Sequence, residues 1–274
     1  MSVDGFTANG IVTLLTDFGL SDGYAGSIKG VILKSNPGLR PVDISHTIAP
    51  FGIASAAYVL HTYCQDFPEG TVHLAVVDPG VGSARRAIAV LCRGHFFVAP
   101  DNGLLSMALG ADRVYRAWEI TQVKPPRDSV SATFHGRDIF APAAAHLASG
   151  GNPSDIGPEA GNITLLKESV PVAAPGRITG QVIHVDHFGN LITNIRRDLL
   201  RGHDPGTILV KTGNYTIVGM SRTYADRESG QLAAYIGSSG LVEIAIVQGN
   251  AAHAVRAPLG RTVEIVFREK RDHA

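Results

Sequence analysis

The chain changes rhythm once, and that change limits the folds open to it. From Ile11 to Ala148, strongly apolar runs of strand length alternate with segments of helical spacing; beyond Gly176, short β-branched runs follow one another between turn residues. Ile11–Thr16 reads as a buried strand, Asp22–Lys34 as a helix stopped by Asn36-Pro37-Gly38, Pro41–Ile44 as a strand and Gly52–Cys64 as an alanine-rich helix. Thr71–Val77 is a third strand, and Ala87–Cys92 with Phe96–Ala99 reads as a hairpin turned at Arg93-Gly94. Asp101 is placed to N-cap a short helix through Leu109, and Asp138–Ala148 is a helix with Gly150 and Gly151 past its end. Strands that alternate with helices predict an α/β fold with a doubly wound, mainly parallel sheet, because parallel neighbours need a long crossover.

The later runs are Ile178–Val185, Thr207–Lys211, Tyr215–Gly219, Leu232–Ile236, Leu241–Val247 and Thr262–Phe267. Their spacing leaves little room for helices and predicts a smaller all-β sandwich or barrel. Asn152–Gly176, rich in Pro, Gly and Ser, is the expected linker. The expected domains are therefore residues 1–165 and 177–274.

Charge excludes some functions. Lys plus Arg and Asp plus Glu each number 24, and no basic stretch is interleaved with aromatics. Nucleic-acid binding, which rests on neutralising phosphates, is not expected, nor is binding to a membrane surface. Met1–Gly10 lacks the pattern of a signal peptide and no run approaches membrane-spanning length, so a cytoplasmic protein is expected. Cys64 and Cys92 stand far apart in apolar surroundings and read as buried thiols. No metal is expected: His184 and His187 find no carboxylate or Cys to complete a ligand set.

The candidate chemistry gathers at ends of apolar runs. Val76-Val77-Asp78-Pro79-Gly80-Val81-Gly82-Ser83-Ala84-Arg85 ends a strand in a glycine turn, with Arg85 far enough along to fold back on Asp78. Phe134-His135-Gly136-Arg137-Asp138 places a histidine among small and polar residues just before a helix. Thr16-Asp17-Phe18-Gly19 closes the first strand, where open parallel sheets collect ligands and where Asp17 is suited to a ribose diol. Asp22 reads equally as a helix cap, whereas for Asp17 the ligand reading outweighs that of a turn residue. Asp186-His187-Phe188-Gly189-Asn190 and Gly237-Ser238-Ser239-Gly240 read as turns first. His61, His73 and His146 fall on apolar elements and read as structural. No G-x-G-x-x-G or P-loop pattern is present.

With Asp43-Ile44-Ser45-His46 and Pro100-Asp101-Asn102-Gly103-Leu104-Leu105 added, these motifs in this order resemble the S-adenosyl-L-methionine (SAM) hydroxide adenosyltransferases, relatives of fluorinase and chlorinase. The resemblance runs from Ile11 to about Phe267. It implies an N-terminal α/β domain joined to a C-terminal β-barrel, and a homotrimer with active sites between subunits. The implied activity is hydrolysis of SAM to adenosine and L-methionine by water attacking C5′, with SAM as substrate and no cofactor. The catalytic triad falls on Asp78, Arg85 and His135, with His135 or Asp78 taking the proton; Arg85 stays protonated and orients the water. Asp17 matches the ribose-binding position, and Phe51 and Phe134 the residues beside the sugar and reacting carbon. Asn190, Tyr224 and the backbone near Ala251 match the adenine pocket; Asp22, Asp186, Ser238 and Ser239 match the methionine end. The fluorinase loop is expected between Cys92 and Phe96, where Arg93-Gly94-His95 stands instead. The Asp186 segment is one residue shorter than in fluorinase. A SAM-dependent chlorinase and a non-catalytic adenosine- or SAM-binding protein remain the alternatives.

Overall fold

The computed structural model describes residues 5–110, 114–167, 170–256 and 259–268. The chain divides into two compact units, Met1–Leu166 and Lys167–Ala274. Glu168 and Ser169 of the expected linker, and Met1–Asp4 at the N-terminus, lie outside the described residues.

The first unit is built on β1 (Ile11–Thr16), β2 (Arg40–Ser45), β3 (Val72–Val76), β4 (Ala87–Cys92), β5 (His95–Pro100), β6 (Arg116–Glu119) and β7 (Glu159–Ala160), in the order β2-β1-β3-β5-β4-β6-β7. The pairings β2–β1, β1–β3 and β3–β5 are parallel, and β5–β4, β4–β6 and β6–β7 are antiparallel. The sheet is therefore mixed, because the Arg93-Gly94 hairpin reverses the chain. Both turn residues have positive φ, 50° and 75°, as a two-residue hairpin turn requires.

Helices α1 (Tyr24–Ser35), α2 (Ile53–Tyr63) and α3 (Ala141–Ala148) complete the layers. Strand periodicity explains their placement. Val12 and Leu14 point into a core shared with Ile28 and Ile32 of α1 and the small residues Ala144 and Ala148 of α3. Leu15 points the other way, into a core with Ala56 and Leu60 of α2.

Two expectations fail in this unit. Residues 101–110 form successive turns instead of a helix, since Gly103 at φ 97° interrupts helical geometry. Asp101 braces a loop: its carboxylate accepts from Thr164 N at 2.7 Å and Arg86 Nε at 2.9 Å. The first half of the expected linker also packs into the unit, with β7 in the sheet and Ile163 in the core.

A polar chain runs through the apolar interior. Thr13 Oγ1 lies 3.2 Å from Tyr63 OH and 2.8 Å from His73 Nδ1, and His73 Nε2 lies 3.2 Å from His95 Nδ1. Burial, with the neighbouring His95 adding to it, pushes His73 down to about 3. A histidine held below its unfolded value binds fewer protons when folded, so stability drops as pH falls from 6.5 toward 3. His73 should contribute a slope of up to ~1.4 kcal/mol per pH unit across that window. Urea unfolding between pH 7 and 4 would measure it. His73→Gln should flatten the curve by one proton's worth, and an unchanged slope would contradict this assignment.

The second unit contains β8 (Val172–Ala174), β9 (Arg177–Val185), β10 (Leu191–Arg196), β11 (Leu209–Thr212), β12 (Tyr215–Val218), β13 (Leu232–Ile236), β14 (Leu241–Ile246) and β15 (Thr262–Val266), with the short helix α4 (Ala251–Ala254). The order β12-β11-β15-β9-β10-β14-β13 is wholly antiparallel, and β8 adds to β9. The sheet curls into a nearly closed barrel: Ser221, just past β12, donates its N–H to Ala234 of β13 at 2.7 Å. Strand β9 makes the bend by pairing with β15 through Arg177–Gln181 and with β10 through Val182–Val185. Gly180 permits it, since a Cβ there would lie 2.3 Å from Asn194 Oδ1. Strand β10 was not expected from the sequence; its Thr193 and Asn194 break the apolar pattern yet are buried.

Candidate active site

Strands β1 and β3 are parallel neighbours with Thr16 opposite Val76, so Asp17 and Asp78 leave the sheet at the same end. After Asp78 the chain turns tightly, with Val81 N bonded to Asp78 O and Ser83 N to Gly80 O. Gly82 sits at φ 78°, and a Cβ there would lie 2.5 Å from the carbonyl oxygen of Ala132. The bare glycine lets the turn press against the segment that leads into His135.

Arg85 closes the array. Its Nε donates to Asp78 Oδ1 at 2.9 Å and Oδ2 at 3.0 Å, and its Nη2 to Asp78 Oδ2 at 2.5 Å. The same Nη2 reaches His135 Nδ1 at 2.8 Å. The guanidinium lies over the ring of Phe140, 5.1 Å from its centroid. The next residue, Arg86, turns away to Asp101, so the two adjacent arginines serve different sites.

This geometry fixes the state of the histidine. A guanidinium only donates, so Nδ1 must accept and the neutral ring carries its proton on Nε2. Burial, then the charge of Arg85, holds His135 below the usual histidine range, while Asp78 and Asp138 oppose that shift. The imidazole is neutral and presents an N–H.

His135 is held by a π-type turn, Gly136–Phe140, that leads directly into α3. Asp138 is fully buried and accepts from Arg137 Nε at 2.6 Å and Ser131 N at 2.8 Å. Burial alone would raise the Asp138 pKa, but the hydrogen bonds from Arg137 and Ser131 bring it below the usual carboxylate range. Arg137 also covers the Phe134 ring, at 5.0 Å. Phe134, Phe18 and Tyr24 meet edge to face with centroids 5.2–6.1 Å apart. A Cβ on Gly136 would lie 3.1 Å from Phe18 Cζ, so the loop after β1 and the His135 segment are in direct contact.

Asp17 Oδ2 accepts the backbone N–H of Phe51 at 2.9 Å. Phe51 has φ 64° and an exposed ring, a conformation that costs energy for a bulky residue. Asp17 and Phe51 are thus brought together. Asp22 is exposed and does not cap α1, whose N-cap is Gly23 with no side-chain bond. His46 braces the loop after β1: its Nδ1 lies 2.8 Å from Thr16 Oγ1, its Nε2 3.0 Å from Asp43, and its carbonyl accepts from Gly19 N.

In the second unit, Phe188, Asn190, Tyr224, Arg227 and Gln248 line an apolar-walled cleft of about 810 Å³. Asp186 folds its own turn, accepting from Phe188 N at 3.0 Å, Asn190 N at 2.8 Å and Asn190 Nδ2 at 2.8 Å. Ala251 is buried at the start of α4, and Ala252 N bonds to Gly189 O, which joins this turn to the cleft's other wall. Ser238 is exposed, whereas the Ser239 hydroxyl is buried without a hydrogen-bond partner among the described residues. Sequence reasoning missed Phe18, Tyr24 and Phe140 in the first unit and Tyr235 and Glu243 in the second. The last two are cross-strand partners on β13 and β14, a register that the Gly237–Gly240 turn implies. Among the described residues, no group of three or more His, Cys, Asp and Glu side chains is placed to hold a metal ion.

Comparison with known proteins gives this arrangement a lineage. The SAM hydroxide adenosyltransferase N-terminal domain matches residues 12–157, and the C-terminal domain of the same family matches residues 180–264. The chain belongs to the SAM hydroxide adenosyltransferase family. Its relatives within the family include the (R)-S-adenosyl-L-methionine hydrolase of Thermus thermophilus, 40% identical over 93% of this chain and 99% of the relative. A fluorinase of an Actinoplanes species is more distant, 26% identical over 94% of this chain and 97% of that enzyme. A crystal structure of an uncharacterized conserved protein from Thermotoga maritima superposes with a TM-score of 0.85 at 37% identity, covering 93% of this chain and 99% of that one.

Proposed function

We propose that this member of the SAM hydroxide adenosyltransferase family hydrolyses SAM to adenosine and L-methionine. The observation that carries the reading is the unbroken hydrogen-bonded array Asp78–Arg85–His135 at the end of the parallel strands. In the reaction a water oxygen forms a bond to C5′ as the C5′–S bond breaks. The bonding pair goes to the sulfonium sulfur, which leaves as a neutral thioether and needs no acid. One water proton must be removed.

The tautomer supports Asp78 over His135 as the acceptor. His135 offers Nε2–H and so holds the water oxygen as a donor, together with Arg85 Nη1, which has no partner among the described residues. Asp78 is left as the proton acceptor, since its Oδ1 takes one hydrogen bond and keeps a lone pair free. Asp17 binds the ribose diol, Phe51 and Phe134 border the sugar and the reacting carbon, and Asn190, Tyr224 and Ala251 take the adenine. Asp22, Asp186, Ser238 and Ser239 serve the methionine end, where the orphaned Ser239 hydroxyl gives a ligand a partner. No cofactor takes part.

Incubating the protein with SAM, with and without chloride, and resolving the products by chromatography tests this directly. Adenosine plus methionine is expected in both samples; a chloride-dependent halogenated nucleoside would overturn the reading. His135→Ala should lower kcat by roughly 100-fold with KM little changed, as loss of one preorganised donor does. Equal losses in both would make His135 a pocket-shaping residue.

The assembly is a cytoplasmic homotrimer with its active sites between subunits. Light scattering should give the mass of three chains, and a monomer that turns over at full rate would rule out shared sites. Among the described residues no helix is long and apolar enough to cross a membrane.

A further inference from the structure

The cleft of the second unit carries a hydrogen-bond chain whose polarity is set by chemistry. Asp186 Oδ2 lies 2.8 Å from the side-chain nitrogen of Asn190, and a carboxylate can only accept, so the Asn190 amide cannot be turned the other way. The second amide proton goes to Tyr224 OH at 3.3 Å. Tyr224 is hydrogen-bonded to Tyr235 OH, and Tyr235 donates to Glu243 Oε2 at 2.8 Å. Protons therefore run one way, from Asn190 through Tyr224 and Tyr235 to Glu243.

Two consequences follow at the cleft wall. Asn190 Oδ1 accepts no hydrogen bond from the described residues, and the Tyr224 oxygen has spent its proton inward and keeps one lone pair. Side by side, these atoms are acceptors without a donor. An exocyclic amine with two N–H groups satisfies both, whereas a carbonyl oxygen at the same place meets only lone pairs.

We propose that Asp186, Tyr235 and Glu243 are positioning residues that make this cleft select a 6-amino purine over a 6-oxo purine. The proposal rests on reading the cleft as the seat of the nucleoside part of SAM, and it assigns Asp186 a role separate from the methionine end. Glu243 is buried and its pKa is raised by that burial, with the Asp186 charge adding to it; Oε2 accepts from Tyr235 both in the ionised carboxylate and in an acid that carries its proton on Oε1.

Titration calorimetry with free adenosine and free inosine tests this without the methionine end. The wild-type chain should prefer adenosine by at least ~30-fold, the expected effect of leaving buried polar atoms mismatched. In Asp186→Asn the backbone donors keep the amide oxygen, so the new NH2 faces Asn190 and forces its amide to turn. The preference should then fall below ~3-fold or reverse. Tyr235→Phe frees the Tyr224 proton to point into the cleft and should raise inosine affinity relative to adenosine. Glu243→Gln keeps an acceptor and should retain the wild-type ratio.

An adenosine-to-inosine ratio unchanged in both Asp186→Asn and Tyr235→Phe, with adenosine bound and SAM cleaved, would overturn the positioning role alone. A wild-type chain that neither cleaves SAM nor binds adenosine would remove the underlying reading as well. Equal wild-type affinity for the two nucleosides also defeats the selectivity claim.

Discussion

Arg85→Lys is expected to lower kcat by about 1,000-fold while KM for SAM stays within a few-fold. The guanidinium does three things at once: it forks onto Asp78, fixes the tautomer of His135 through Nδ1, and lies over Phe140. An ammonium is a point donor and cannot hold this planar geometry. It retains the charge beside Asp78, so the fold should survive with little loss in melting temperature, and the deficit should appear in the chemical step. With Nδ1 released, His135 is free to carry its proton on either nitrogen, and part of its population presents a lone pair to the water. Single-turnover measurements at saturating SAM would separate chemistry from binding. A lysine variant with near wild-type kcat would show that the array braces the turn and takes no part in the reaction.

Much of this arrangement was legible in the chain, and the reasons are local. Asp78 and Arg85 are seven residues apart across a turn that Pro79, Gly80 and Gly82 make unavoidable, so their meeting is a short-range event. Asp17 could be placed because strand length and apolarity put Thr16 at a sheet end. The link to His135 is different: it depends on Gly82 against Ala132 and on Phe18 against Gly136, contacts between segments about 50 and 118 residues apart. Only the family resemblance joined those pieces beforehand.

The unread parts share a physical cause, since tertiary pairing overrode local preference. Asp101 looks like a helix cap, yet Arg86 and Thr164 claim its carboxylate and Gly103 bars the helix. Strand β10 contains Thr193 and Asn194, whose polar atoms are satisfied inside the barrel: Thr193 bonds to Val242 O, and Asn194 accepts from Gln181 N. Tyr235 and Glu243 looked like ordinary strand residues until the hairpin register set them opposite one another.

Asp78→Asn should separate the proton acceptor from the scaffold, with kcat falling about 100- to 10,000-fold, the range for losing general-base help. Asparagine is nearly isosteric and can still accept from Arg85 through its oxygen, so substrate affinity should change little. The pH profile carries the sharper expectation. In the proposed mechanism His135 acts as the neutral ring, and because burial and the Arg85 charge lower its pKa, the acid limb of the wild-type rate should lie below the ordinary histidine range. Asp78 is one of the two carboxylates that pull this value back up. Its removal should therefore move the acid limb of kcat/KM to lower pH, even as the plateau drops. If the limb shifts upward, or if the plateau survives, the proton goes elsewhere and Asp78 serves to hold Arg85.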